Sequence, residues 1–256
     1  MTYLKIMLFI SFFLFLPTKK GDLQEKTVCV TYKMALPIEN QSNDAKIKFA
    51  NNNVSDDLRK TIGKANELKY QIDFELYYNK NESLYKMVDA LEVNNDLANR
   101  FAKILAGGKK IRYKNNVTKE KLYQIESSGE KFTVNLDFEE YLWNITSETK
   151  MINGYKCYKA TSYKEEYDKI RDRKNSFYPV VWFTPEIPSS FGPDGLDGLP
   201  GLVLEGSANG KKFMYATKIN LNYIDKIVIE KPSKGKNVTE KEYLDIITKI
   251  FKDING

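Results

Sequence analysis

The chain has 256 residues, 40 Lys and Arg against 34 Asp and Glu, a net charge of +6, two cysteines and no histidine. The missing imidazole excludes Ser-His-Asp and Cys-His nucleophilic sites, a histidine general base and the ordinary His-ligated zinc or copper site. Basic residues alternate with acids, so pairs such as Lys109-Lys110 and Lys211-Lys212 read as solvated faces, and nucleic acid is not an expected partner.

The N-terminus carries Lys5, an apolar run from Ile6 to Leu16, then Pro17 and two lysines. That run is too short for a bilayer span and fits a signal-peptide core, which predicts a leader over residues 1–20 and export to the periplasm or outer-membrane surface. Cys29 lies too far beyond the run for a lipid attachment site, and no other segment reads as a transmembrane helix. Residues 21–256 are expected to form one β-rich domain. Cys29 and Cys157 both sit in strand-like sequence and read either as one disulfide closing a long loop or as two buried free thiols.

Val28 to Met34 alternates and is β-branched, a first strand. Asn40 to Asn53 reads as loop, with a short strand at Ile47 to Phe49. Leu58, Ile62, Ala65 and Leu68 keep helical spacing over Asp56 to Leu68. Tyr70 to Tyr78 and Ser83 to Val88 flank Asn79-Lys80-Asn81 and suggest a hairpin. Asp96 to Ala106 reads as a helix stopped by Gly107-Gly108. Lys110 to Tyr113, Lys121 to Glu126 and Lys131 to Leu136 follow as short strands.

Tyr141 to Thr149 and Gly154 to Tyr163 flank Asn153-Gly154, a type I′ hairpin signal. Tyr178 to Thr184 is a further strand, Leu202 to Glu205 and Phe213 to Asn220 flank Asn209-Gly210, and Lys226 to Lys231 reads as the last strand. Thr239 and Glu242 form a capping box ahead of Tyr243, Ile246, Ile247, Ile250 and Phe251 on one helical face. Together these predict a mainly β fold: a curved antiparallel sheet or open barrel with a few peripheral helices and a C-terminal helix.

Between the strands ending at Thr184 and starting at Leu202 lies a stretch rich in proline, glycine and aromatics, closing on Gly198-Leu199-Pro200-Gly201-Leu202-Val203. This motif, with Trp143 to Ala160 and more loosely Phe74 to Tyr85, resembles the GLPGLI family of Bacteroidetes, for which no biochemical activity follows from the resemblance. Trp182, Phe183, Pro185, Glu186, Pro188, Gly192, Pro193, Gly198, Leu199, Pro200, Gly201 and Leu202 are the candidate binding residues. Prolines stiffen such a loop and aromatics give area at low entropy cost; equally, Trp182 and Phe183 read as core, the prolines merely steering a long connection.

Four carboxylates surround the motif. Glu186, Asp194, Asp197 and Glu205 read either as an acid/base or calcium-ligating set or, more plainly, as turn residues and solvated strand ends. No metal, cofactor or catalytic residue is assigned. The expected function is a non-enzymatic envelope module binding another envelope protein through this loop; the alternative is a periplasmic carrier holding a lipid or other hydrophobic ligand in a concave sheet.

Overall fold

The computed structural model describes residues 26–35, 55–88, 96–169, 171–210, 212–225 and 227–255. The leader and the Asn40 to Asn53 loop, with its strand at Ile47 to Phe49, lie outside them. Of the described residues, 46% lie in strands, so the fold is mainly β.

In chain order the elements are β1 (Thr27–Ala35), α1 (Asp56–Leu68), β2 (Asp73–Tyr78), β3 (Glu82–Met87), α2 (Leu97–Leu105), β4 (Ile111–Asn115), β5 (Glu120–Ser127) and β6 (Glu130–Asn135). Then come β7 (Asn144–Ile152), β8 (Tyr155–Thr161), β9 (Lys164–Asp168), β10 (Arg173–Phe177), β11 (Val180–Thr184), β12 (Leu202–Ser207), β13 (Phe213–Tyr223), β14 (Lys236–Thr239) and α3 (Glu240–Asn255). Twelve strands form one sheet in the order β14-β6-β5-β4-β3-β2-β1-β13-β12-β11-β8-β7, while β9 and β10 make a separate hairpin. The large sheet is curved and open, not closed into a barrel. All its pairings are antiparallel except β14 with β6.

Period-two alternation sets the core. On β1 the side chains of Val28, Val30, Tyr32 and Met34 enter one cluster with Leu76, Tyr85 and Leu204, while Cys29 enters another with Tyr77, Leu84 and Tyr113 on the opposite face. Tyr32 is wholly buried, and its hydroxyl donates to Val203 O at 2.7 Å. The Asn153-Gly154 turn has φ of 50° and 83° and joins Ile152 to Tyr155, as a type I′ hairpin requires.

The helices start where their caps dictate. Ser55 and Asp96 accept from Leu58 N and Asn99 N to open α1 and α2. Thr239 and Glu242 bond reciprocally at the start of α3, whose Tyr243, Ile246 and Ile247 pack on Phe132 and Val134 of β6. None of the helices in the described residues is long and apolar enough to cross a membrane.

One expectation is corrected, and of the two readings of the cysteines the free-thiol one holds. Residues 227–231 pair with no strand: Ile229 is buried, Val228 is exposed and Ile227 is half-buried, so the strand-like alternation is real, but it serves to lay two isoleucines over the Cys29 face. The last strand is β14, further on. Cys29 and Cys157 are both free and buried. They stand on β1 and β8, separated in the sheet by β13, β12 and β11, which at about 4.8 Å per strand puts them about 19 Å apart, far beyond disulfide reach. Burial pushes both thiols up to about 11.

A groove beside the Gly-Leu-Pro-Gly turn

Strands β4 and β5 pose an electrostatic problem. Lys110, Arg112 and Lys114 recur at period two, and the register sets Lys114 directly opposite Lys121. Like charges facing each other across a ladder repel, and both ammonium groups are buried. The loop between β11 and β12 resolves this. Asp197 accepts from Lys114 at 2.5 Å and pairs with Lys121 at 3.0 Å, lying between them, and Asp194 accepts from Arg112 at 2.9 Å.

The charges continue outward: Lys121 also meets Glu140 at 2.9 Å, and Glu140 meets Lys164 of β9 at 3.2 Å. Burial works against ionised Glu140, but Lys121, Lys164 and Arg112 outweigh it and bring its carboxyl down to about 2. Burial likewise lowers the Lys114 ammonium, against the pull of Asp197. Burial opposes the Asp194 charge too, and Arg112, Lys212 and Lys110 overcome it, holding that carboxyl below its usual range.

The loop must leave and re-enter at one end of the β11–β12 pair. At Gly201 an added Cβ would stand 2.3 Å from Thr184 O, so the chain can close this tightly only without a side chain. Gly198 has φ of +92° and its N–H donates to Ser190 O at 2.8 Å. Between them Leu199 is buried while Gly198 and Pro200 are exposed.

The sequence-predicted binding residues divide accordingly. Phe183, Gly192, Pro193, Leu199, Gly201 and Leu202 are buried, and Trp182 is half-buried with the Lys150 ammonium 4.5 Å from its ring centroid. Pro185, Glu186, Pro188, Gly198 and Pro200 reach the surface. Ile187 and Phe191 pack into the β1 cluster, each burial stabilising by about 2 kcal/mol.

The four carboxylates are not a set. Glu205 is bound by Lys150 at 2.8 Å, Glu186 accepts from Lys156 N at 2.9 Å, and Asp194 and Asp197 face their own cations. The reading of Asp197 as an ordinary turn residue and Glu205 as a solvated strand end is therefore corrected: Asp197 is 7% exposed and Glu205 is half-buried. Among the described residues no group of three or more His, Cys, Asp or Glu side chains could hold a metal ion.

Beside the turn opens a groove of about 690 Å³. Leu199 and Pro200 form one wall; Phe138, Tyr141, Leu142 and Trp143 form the other; Lys114 and Asp197 lie at its base. Trp143 Nε1 donates to Asp197 O at 2.8 Å, and its ring lies 5.0 Å from that of Tyr141. Lys114 and Lys119 both hold their ammonium groups over Phe138, at 4.3 and 4.7 Å from its ring centroid. Leu142 is 85% exposed. Apart from Trp143, the opposite wall, Lys114 at the base and Lys119 at the surface were not singled out in the sequence. The available signal was the row of cations at period two on β4.

A family model described as "Protein of unknown function (Porph_ging)" matches residues 165–205, from the β9–β10 hairpin through the motif. No curated protein matches the chain. Among solved structures, the C2 crystal form of PNGF-II is 20% identical with a TM-score of 0.51, covering 87% of this chain and 32% of that one. The P21 form is 18% identical with a TM-score of 0.52, covering 87% and 33%. The chain thus spans about a third of the length of those chains, and the likeness is one of fold.

Proposed function

We propose that the protein is an exported, non-enzymatic binding module of the cell envelope, of the GLPGLI type, that engages another envelope protein through the groove beside its Gly-Leu-Pro-Gly turn. The observation that carries this reading is the groove itself: an open site with aromatic and aliphatic walls, backed by a buried ion network that fixes the loop in place. Rigid walls and exposed apolar area are what recognition needs. The loop's own apolar side chains serve to hold that wall, so contact passes to Leu142, Pro200 and Lys119 at the surface.

Carriage of a hydrophobic molecule inside the sheet finds less support. The pocket where the loop meets Leu76, Tyr85 and Lys114 measures about 20 Å³, room for one water.

The test is crosslinking of the tagged protein in its native cells, with purification and identification of captured proteins and small molecules by mass spectrometry. Leu142→Arg and Lys119→Glu alter exposed groove residues and should leave the melting temperature unchanged while abolishing capture of a stoichiometric envelope protein. Capture that survives both substitutions in folded protein would refute the groove, and a homogeneous bound lipid with no protein partner would establish the carrier.

A further inference from the structure

The row of cations on β4 is answered unevenly. Lys114 has Asp197 and Arg112 has Asp194, but the Lys110 ammonium pairs with no carboxylate among the described residues. It lies 4.5 Å from the centroid of the Tyr123 ring, and the Arg112 guanidinium lies 5.6 Å from the same centroid. The two cations thus share one ring, and Arg112 is the foremost charge acting on Lys110. A third cation joins them from another element: Lys212, just before β13, acts on both Lys110 and Asp194, and its ammonium also has no ion pair among the described residues.

Asp194 engages Arg112 through Nε alone, at 2.9 Å, so the two terminal nitrogens of the guanidinium make no hydrogen bond among the described residues. All three cations are partly open to solvent. Three positive charges against Asp194 leave a surplus of two, which exposed Glu240 at the start of α3, the weakest of the charges acting on Lys110, offsets only in part. Burial, and then the Arg112 charge, push the Lys110 ammonium down to about 8.

A cation held down by its own neighbours is relieved by an anion. Free guanidinium nitrogens beside an ammonium suit a tetrahedral oxyanion, Arg donating in a fixed fork and Lys as a point charge. A phosphate group carries about −1.5 to −2 at neutral pH, which matches the surplus, whereas a carboxylate carries half of it. We infer that Lys110, Arg112 and Lys212 form a binding site for a phosphate group, presented either by soluble phosphate or by a phospholipid headgroup. The site uses neither Leu142 nor Lys119 and does not rest on the groove reading.

Calorimetric titration of the full chain with inorganic phosphate, against sodium chloride at equal ionic strength, tests this. Phosphate should bind saturably and raise the melting temperature, and chloride should do neither. Lys110→Gln and Lys212→Gln should each weaken phosphate binding roughly ten-fold, while Lys174→Gln, which removes an exposed charge on β10, should leave it unchanged. In phosphate-free buffer Lys110→Gln should fold at least as stably as the parent, because a repelled charge is gone, so its loss of binding is not a loss of fold. Phosphate affinity should fall as pH rises through about 8 in the parent. Arg112, Lys212, Asp194, Glu240 and Tyr123 also face Lys110, and absence of that fall in Lys110→Gln separates its titration from theirs. Phosphatidylcholine vesicles with and without phosphatidic acid distinguish the sources. Cosedimentation that needs both phosphatidic acid and Lys110 assigns a lipid headgroup, and calorimetric binding without cosedimentation assigns soluble phosphate. No saturable binding of either, equal binding of chloride, equal effects of Lys110→Gln and Lys174→Gln, or affinity that is flat through pH 8 in the parent would each overturn the site.

Discussion

Asp197 is the residue on which the motif loop turns. It lies between two buried ammonium groups that the β4–β5 register forces together. Removing one partner of a buried ion pair typically costs about 3–5 kcal/mol because the remaining charge is left without compensation. Asp197→Ala should therefore lower unfolding stability in urea by that amount, and Asp194→Ala by clearly less, since Asp194 is a third exposed; equal losses would contradict this account. Glu140 adds a pH dependence. Its carboxyl titrates near 2 in the folded protein and near 4.5 when unfolded, so its contribution is complete above about 4.5 and disappears as pH falls toward 2. A pH series of urea melts should show roughly 3 kcal/mol lost across that window, and Glu140→Gln should flatten it. The sequence shows the cations at period two, yet nothing local reveals which carboxylate, more than eighty positions away, will meet them.

At the scale of elements, the two motif glycines do different work, and substitution should separate them. Gly201→Ala drives a methyl group into the Thr184 backbone and should cost about 1–3 kcal/mol, whereas Gly198→Ala meets only backbone strain and should cost about 1 kcal/mol; chemical denaturation of both variants decides. If Gly198→Ala were the worse, the close approach at Gly201 would not be what the motif requires. Strands and turns were legible where side chains speak for themselves: the Asn153-Gly154 hairpin, the capped α3, and α1 with its four apolar positions. Hairpin β9–β10 was not, because Lys164–Asp168 and Arg173–Phe177 are charged and contain no β-branched residue, and its leaning on α3 through Lys169 and Asp245 is a tertiary fact. The parallel pairing of β14 with β6 is also invisible locally, since four polar-flanked residues carry no record of direction.

The whole molecule decides the cysteines. Three strands and a change of face separate Cys29 from Cys157, so oxidising conditions do not link them within one chain. Mass spectrometry after alkylation in denaturant should find two labelled thiols per chain, and a reductant should leave the melting temperature unaltered; a shift of several degrees would show a bond the sheet order forbids. Labelling of native protein should be slow, because burial keeps both thiols protonated at neutral pH. Fold class could be read from composition and alternation, but strand order, which decides this question, depends on contacts between distant segments.

The tight closure at Gly201 has a consequence for how such chains diversify. A signature that exists because two backbones nearly touch constrains the frame and leaves Phe138, Leu142 and Lys119, across the groove, free to vary. Proteins sharing the motif would then inherit a scaffold and not a ligand, and each would have to be asked separately, through the opposite wall, what it recognises.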